Sequence, residues 1–273
     1  MRLDQLYLDL CARLPDEEDA QFQIDQCLSH CDIPPTWRFS RPDHDIAPHQ
    51  ISRLRAMVGE VAAGTPLAYV LGEWEFFALP LSVSPSVLIP RADTETLVET
   101  LIKLVPTGKR LLDLGTGSGA IALALKHQRK DLSVTAIDQS EAALTIAKQN
   151  ALALALDVEF VASDWFAALD GQRFDVIVSN PPYLASDDPH LEDLRHEPLS
   201  ALVSGKTGLE CFEHIAAGAK KHLTPGGIIA FEHGNTQSQA VQIILGEMGY
   251  DLIQSVKDLA GRPRVTFGYQ PEA

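Results

Sequence analysis

The sequence predicts an α/β protein: a mostly parallel sheet with helices on both faces, preceded by a small helical domain and a linking β-hairpin. Three observations carry this expectation. From residue 110 onward, short apolar runs rich in β-branched residues alternate with segments of helical period, as βαβ units require. A glycine-rich turn, Gly115-Thr116-Gly117-Ser118-Gly119, falls between the first of these runs and its helix. Residues 1–70, by contrast, show helical periodicity throughout.

Composition narrows the class. The chain has 273 residues, 45% hydrophobic and 22% charged, which is ordinary for a folded globular protein. Its formal net charge of -15 weighs against a dedicated nucleic-acid binder, because such proteins neutralise phosphates with Lys and Arg. No apolar run approaches the ~20 residues of a membrane span. The start, Met1-Arg2-Leu3-Asp4-Gln5, lacks the apolar core of a signal segment, so a cytoplasmic location is expected. Cys11, Cys27, Cys31 and Cys211 are then expected as free thiols. Cys27 and Cys31 flank His30 one helical turn apart, but no second Cys or His pair follows at finger spacing. They read as a helix face, and no metal is expected.

Taken in order, Leu3, Leu6, Leu8, Leu10 and Leu14 form a first helical segment ending at a Pro15 break. Phe22, Ile24, Cys27 and Leu28 form a second, stopped by Pro34-Pro35. Ile51, Leu54, Met57, Val58 and Val61 form a third, closed by Gly64-Thr65-Pro66. Trp74 to Val83 places aromatic and β-branched residues around a proline-containing turn, a hairpin signal. Asp93 or Thr94 can N-cap a helix carrying Leu97, Val98, Leu101, Ile102 and Val105. Strands are expected at residues 110–114, 133–137, 158–161, 174–179, 228–232, 252–256 and 264–269, with helices at 120–126, 141–150, 209–223 and 238–248. Thr224-Pro225-Gly226-Gly227 reads as a turn. The short link before the final strand makes that strand antiparallel.

The chemistry concentrates at the strand ends. Glycine is needed where a backbone turns tightly and a ligand approaches closely. The spacing G-x-G-x-G differs from the dinucleotide pattern G-x-G-x-x-G, and its setting between strand and helix points to a cofactor site. Asp138 ends the second strand, where a carboxylate binds ribose hydroxyls, so a nucleoside without a pyrophosphate fits. Asp113 requires a positive or hydrogen-bonding partner, such as a ligand ammonium. Asp164 can accept from an adenine amine, with Trp165 walling the ring. The strand Phe174 to Ser179 runs into Asn180-Pro181-Pro182-Tyr183. The prolines lack N–H groups and stiffen the turn, leaving a rigid set of acceptors beside an aromatic ring. Such a set holds an amide or amine with two hydrogens to donate. A plain strand stop with Tyr183 in the core is the other reading, and the motif alone does not separate an amide from an adenine amine.

In this order, Asp113 to Gly119, Asp138, Ser163-Asp164-Trp165-Phe166 and Asn180 to Tyr183 resemble the class I S-adenosylmethionine methyltransferases that carry an N-P-P-Y motif. Pro66 to Glu73, Leu88-Ile89-Pro90-Arg91 with Asp93-Thr94-Glu95, Glu197 to Leu202, Gly208-Leu209, Glu232-His233-Gly234 and Arg264-Val265 narrow the resemblance to the peptide-chain release factor glutamine N5-methyltransferases. It covers residues 66–269. His196 and the run Asn235-Thr236-Gln237-Ser238 depart from the family's usual residues.

The resemblance implies a class I methyltransferase (Rossmann-like) fold with a seven-stranded, mostly parallel sheet. Residues 1–70 read as a helical partner-recognition domain, a structural appendage being the other reading, followed by a hairpin linker at 71–91; the resemblance makes 92–273 an S-adenosylmethionine-binding catalytic domain. The implied substrate is the Gly-Gly-Gln glutamine of class 1 release factors; an adenine-N6 nucleic-acid methyltransferase is the competing reading. The cofactor residues are then Asp113, Gly115, Thr116, Gly117, Ser118, Gly119, Asp138, Asp164, Trp165 and Asn180. Asn180, Pro181 and Tyr183 are the catalytic residues, and Asn180, Pro181, Pro182, Tyr183 and Arg91 bind substrate; a surface salt bridge is the other reading of Arg91.

Overall fold

The computed structural model describes residues 1–14 and 17–272, and the chain divides into two units, Met1–Glu73 and Trp74–Ala273. The expected break at Pro15 lies outside the described residues. The first unit contains α1 (Leu3–Cys11), α2 (Glu17–His30), α3 (Trp37–Ser40), α4 (Pro48–Ala62) and α5 (Leu67–Leu71). Leu3, Leu6 and Leu10 of α1 pack with Ile24, Cys27 and Leu28 of α2 and Leu54, Met57 and Val58 of α4, each set at helical spacing. Leu8 and Phe22, expected on the apolar faces, are instead 71% and 52% exposed, because they fall off those stripes. Cys27 is buried and its thiol is pushed up to about 11 by desolvation, so it packs as a small apolar side chain. Cys31, just past α2, is buried too, with its Sγ 3.9 Å from Met57 Sδ. No helix among the described residues is long and apolar enough to cross a membrane.

The hairpin pairs β1 (Glu73–Phe76) with β2 (Leu79–Ser82). Its turn differs from the expected one. Phe77 and Ala78 make it, with φ of 51° and 58°, the doubly positive geometry that matches the twist of a two-residue hairpin. Pro80 lies within β2 on its exposed face, where the missing N–H is tolerated in an edge strand.

The second unit is built on β3 (Arg110–Leu114), β4 (Ser133–Asp138), β5 (Glu159–Ala162), β6 (Phe174–Ser179), β7 (Leu223–Glu232), β8 (Asp251–Lys257) and β9 (Pro263–Tyr269). They form one seven-stranded sheet in the order β5-β4-β3-β6-β7-β9-β8. Neighbours from β5 to β7 are parallel, and β9 alone runs antiparallel, against both β7 and β8. The helices are α6 (Glu95–Leu104), α7 (Ala120–Gln128), α8 (Glu141–Ala153), α9 (Glu210–His222) and α10 (Ser238–Glu247). Alternate strand residues divide between two cores. Leu111, Val176, Val178 and Ala230 meet α6 and α7, while Leu112, Ile177, Ile229 and Phe231 meet α9 and α10. Both faces are covered, which explains why the central strands read as unbroken apolar runs.

Two local expectations are corrected. Thr224 to Gly227 is not a turn ahead of the strand but lies inside β7. Leu223 pairs with Phe174 and Ile228 with Val176, so these four residues bulge from the ladder, with Gly226 at φ 71°. Neither Asp93 nor Thr94 caps α6. A 3₁₀ turn over Ala92–Thr94 precedes it, Thr94 is itself helical in backbone, and both side chains serve tertiary contacts described below.

Asn150 of α8 welds the hairpin to the sheet. Its Oδ1 accepts from Ser82 N at 2.7 Å, and its Nδ2 donates to the carbonyls of Ser82 and Ser118 at 3.1 and 2.9 Å. The residue is 1% exposed, so truncation strands three main-chain groups away from water. Asn150→Ala is expected to destabilise the protein by ~2–4 kcal/mol, seen as a lower urea midpoint at unchanged slope. A loss below about 0.5 kcal/mol would mean water replaces the amide.

Candidate active site

The carboxyl ends of β3, β4, β5, β6 and β7 face the same way, and the loops that carry the glycine turn, Asp138, Asp164-Trp165 and Asn180 leave from them. The chain leaves β3 toward β4 on one side and reaches β6 on the other, so the crevice between the two directions opens above β3.

A first cavity occupies that crevice. Gly115, Gly117, Asp138, Ser140, Ser163, Asp164, Trp165 and Asn180 line it, with Ser86 to Leu88 and Pro198 to Ala201 closing the outer side. Gly115 and Gly117 have φ of 71° and 56°, and a Cβ on either would project into open space, so their main chain is what a ligand meets. Gly119 serves packing: at φ 86° it starts α7, and a Cβ would lie 3.0 Å from Leu123 and 3.3 Å from Ala147. Asp138 accepts from Gly117 N and Ser140 N, both at 2.9 Å. It therefore fastens the glycine turn to the β4 end with half of its acceptor capacity and keeps the rest for a ligand. It does not cap α8; Ser140 does, accepting from Ala143 N.

Thr116, Ser118 and Asp113 sit behind the cavity wall and are buried. The Thr116 hydroxyl donates to Asp113 Oδ2 at 2.6 Å, so the chain itself supplies a partner to one oxygen, while Oδ1 is buried without one. Desolvation of this fully buried carboxyl pushes it up to about 7, against the opposing Thr116 bond. Asp164 and Trp165 lie on the wall. Trp165 takes φ 46° and turns its ring toward His214, with centroids 6.2 Å apart. Buried Ser163 shapes that bend, donating to Trp165 O at 2.8 Å and accepting from Ala168 N at 3.0 Å.

A second cavity adjoins the first. Arg91, Tyr183, Leu184, Asp188, His190, Asn235, Gln237 and Arg264 are among its walls. Three residues face both cavities: Leu88, Ala201 and Asn180. Asn180 Nδ2 points to Thr94 Oγ1 at 3.4 Å, while Oδ1 is buried without any hydrogen-bond donor. Pro181 is buried and lines neither cavity, Pro182 borders the first and Tyr183 the second. Burial of Tyr183 pushes its phenol up to about 12, so the ring stays neutral.

Glu197, Glu232 and Arg264, to which the motifs assign no role, pin these walls. Glu197, 8% exposed, accepts from Ile89 N at 3.0 Å and pairs with Arg91, tying the wall at Ser86–Leu88 to the one at Pro198–Ala201. Arg91 thus borders the second cavity with its charge already partnered. Glu232 lies beside Asn180 and Thr94 at the end of β7, and one of its carboxyl oxygens has no hydrogen-bond donor. Desolvation raises it to about 7, although Thr94, Arg264 and Asn180 pull the other way. Arg264 pairs with Asp93 at 2.7 Å and Asp258 at 3.4 Å. Glu197 meets Ile89 and Arg91 across 108 and 106 positions of sequence, so no local pattern marks the pairing.

Comparison with known proteins places this arrangement. Residues 5–72 match the PrmC N-terminal domain, and residues 91–196 the methyltransferase small domain. The release factor glutamine methyltransferase of Xylella fastidiosa (strain Temecula1) is 46% identical over 249 residues, 89% of this chain and 90% of its own. That of Salmonella typhimurium is 49% identical over 75% of this chain and 76% of its own. In three dimensions, a methyltransferase from Pyrococcus furiosus superposes with a TM-score of 0.56 at 21% identity, covering 71% of this chain and 90% of its own, which shows the shared fold.

The buried carboxyls give a pH test. Glu232 has a folded value of about 7 against an ordinary 4.5, so between these the folded chain binds a proton that the unfolded chain gives up. Its favourable contribution is complete below the ordinary value and is lost as pH rises through about 7. Unfolding free energies of the ligand-free wild type and Glu232→Gln, measured by urea from about pH 5 to 8, are expected to shift in favour of the variant as pH rises. A difference flat in pH would mean that Glu232 is ionised throughout.

Proposed function

The chain belongs to the release factor glutamine methyltransferase family, and from that premise we propose that it moves a methyl group from S-adenosylmethionine to the side-chain amide nitrogen (N5) of the Gly-Gly-Gln glutamine in class 1 peptide chain release factors. The observation that carries this reading is Asn180. It stands on the common wall of two cavities and holds a buried acceptor with no donor.

The first cavity suits the cofactor. Gly115 and Gly117 leave the main chain bare where an amino-acid moiety fits, Asp138 keeps acceptor capacity for ribose hydroxyls, and Trp165 with Asp164 offers a wall and an acceptor for adenine. When bound, S-adenosylmethionine supplies a sulfonium-activated methyl, which removes the need for a metal or a covalent enzyme intermediate.

The remaining work is orientation. A carboxamide nitrogen is a poor nucleophile because its lone pair is delocalised into the carbonyl. Asn180 Oδ1 accepts one of its hydrogens, turning the nitrogen toward the first cavity and favouring the positive charge that grows on it; the second is assigned to the Pro181 carbonyl from the motif alone, since Pro181 lies behind the walls of both cavities. Proline stiffens both acceptors. Pro181 and Pro182 contribute no N–H that would compete for them. Tyr183, neutral and largely buried, packs against the amide plane and excludes water. Once the methyl is on, the excess proton leaves to solvent, and no strong general base is required. We assign contact with the release factor outside its Gly-Gly-Gln loop to the first unit, whose sequence matches the PrmC N-terminal domain, and place the reaction in the cytoplasm.

The test uses labelled S-adenosylmethionine with a release factor, its Gln-to-Ala variant and duplex DNA in parallel. Label is expected on the wild-type release factor alone. Label on DNA would favour the adenine-N6 reading, and equal label on both release factors would refute the glutamine. In the same assay Asn180→Ala is expected to lose about 10²–10³-fold in kcat, the scale of one lost transition-state hydrogen bond, while keeping most cofactor affinity. Near-normal turnover would remove Asn180 from its role.

A further inference from the structure

Tyr183 is only as well placed as the main chain beneath it, and one side chain holds that main chain. Gln237, in the loop between β7 and α10, uses its whole amide on backbone. Its Oε1 accepts from Gly234 N at 2.9 Å, and its Nε2 donates to Tyr183 O at 2.9 Å and to Gly208 O at 3.1 Å. Both ends of the long connection between β6 and α9, at Tyr183 and at Gly208, meet at this group with the loop following β7, and both segments wall the second cavity. They meet closely. A Cβ at Gly208 would come within 2.5 Å of Tyr183 O, so only glycine lets the two carbonyls converge on the same donor group. Beyond Tyr183, the chain is bonded to Leu202–Gly205 through Leu184 N, Ser204 N and Ser186 N at 2.8–2.9 Å. The Tyr183 carbonyl itself is taken by Gln237.

We propose that Gln237 is a positioning residue: by tying Gly208 and Gly234 to the Tyr183 carbonyl it sets where the Tyr183 ring meets the substrate amide, an assignment that rests on the glutamine-methylation reading above. The side chain has to offer both an acceptor and a two-hydrogen donor at one length, and only glutamine does so here. A carboxylate in its place would face two carbonyl oxygens and the Gly234 N–H. Ionised, it repels both carbonyls; protonated, it can donate to one of them. Gln237→Glu therefore carries a pH signature that a simple loss of folding cannot imitate.

The experiment compares wild type, Gln237→Glu and Gln237→Met in methyl transfer to a release factor from about pH 5.5 to 8.5. Equilibrium binding of S-adenosylmethionine and thermal midpoints are measured alongside. For Gln237→Glu, kcat/KM is expected to fall roughly 10- to 100-fold at the alkaline end, the cost of a misplaced contact of about 1 Å, and to recover partly toward the acid end relative to wild type. Gln237→Met, of similar length but without polar atoms, should be low at every pH, and cofactor affinity should hold within about twofold in both. Wild-type kcat/KM in both variants would overturn the role of Gln237. So would a loss that is flat in pH for Gln237→Glu or that follows the thermal midpoint or cofactor affinity. Absence of label on the release factor with wild-type enzyme would overturn the substrate reading and this inference with it.

Discussion

The arrangement depends on β6 being unable to move. The strand lies between β3 and β7, bonded on both edges, with Val176, Ile177 and Val178 fully buried, and Ser179 adds a side-chain bond of 2.7 Å to Leu114 O at its tip. Asn180 follows without a flexible residue between, and Pro181 fixes the next φ. A buried carbonyl oxygen without a donor costs about 1–3 kcal/mol, and a looser loop would relieve that cost by rotating toward water. Here rotation is blocked by the sheet on one side and two prolines on the other. The acceptor is held without a partner, and under the proposed reading a substrate N–H recovers that cost.

Around this fixed point the electrostatics are local, whatever the net charge of -15 suggests. Arg91 and Arg264, the cations on the second cavity's walls, are paired with Glu197, Asp93 and Asp258. Glu232 and Asp113, buried at two strand ends, are pushed toward neutrality near pH 7. The second cavity's two arginines thus carry no charge free of a carboxylate partner. Under the proposed reading, selectivity for a carboxamide rests on hydrogen-bond geometry in a site of low local dielectric, where each contact counts for more than it would in water.

Legibility in the sequence followed locality. The strands, the glycine turn and the strand-end position of Asp138 depend on neighbours a few residues away, and periodicity exposes them. The N-P-P-Y segment was readable as rigid acceptors because proline chemistry is local as well. What escaped was made by partners far apart: Asn150 against Ser82, Glu197 against Ile89, Gln237 against Tyr183. The hairpin turn escaped for another reason. Phe77 and Ala78 adopt a conformation that their chemistry does not favour, imposed by the strands on either side, and Pro80 drew attention to the wrong pair. Thr94 and Asp93 looked like helix caps and were taken for tertiary bonds instead.

The antiparallel insertion of β9 sets the order in which the site can be completed during synthesis. Glycine turn, Asp138 and Asn180 are all made by the time the ribosome has passed residue 183. Yet Arg264, which pairs with Asp93 and whose carbonyl accepts from His233 N at 2.9 Å, follows some eighty residues later. β7 also has no partner on its outer edge until β9 arrives. A nascent chain short of that strand has an open sheet edge at β7 and an Asp93 without its Arg264 partner. The substrate side of the site is therefore completed only when β9 joins the sheet.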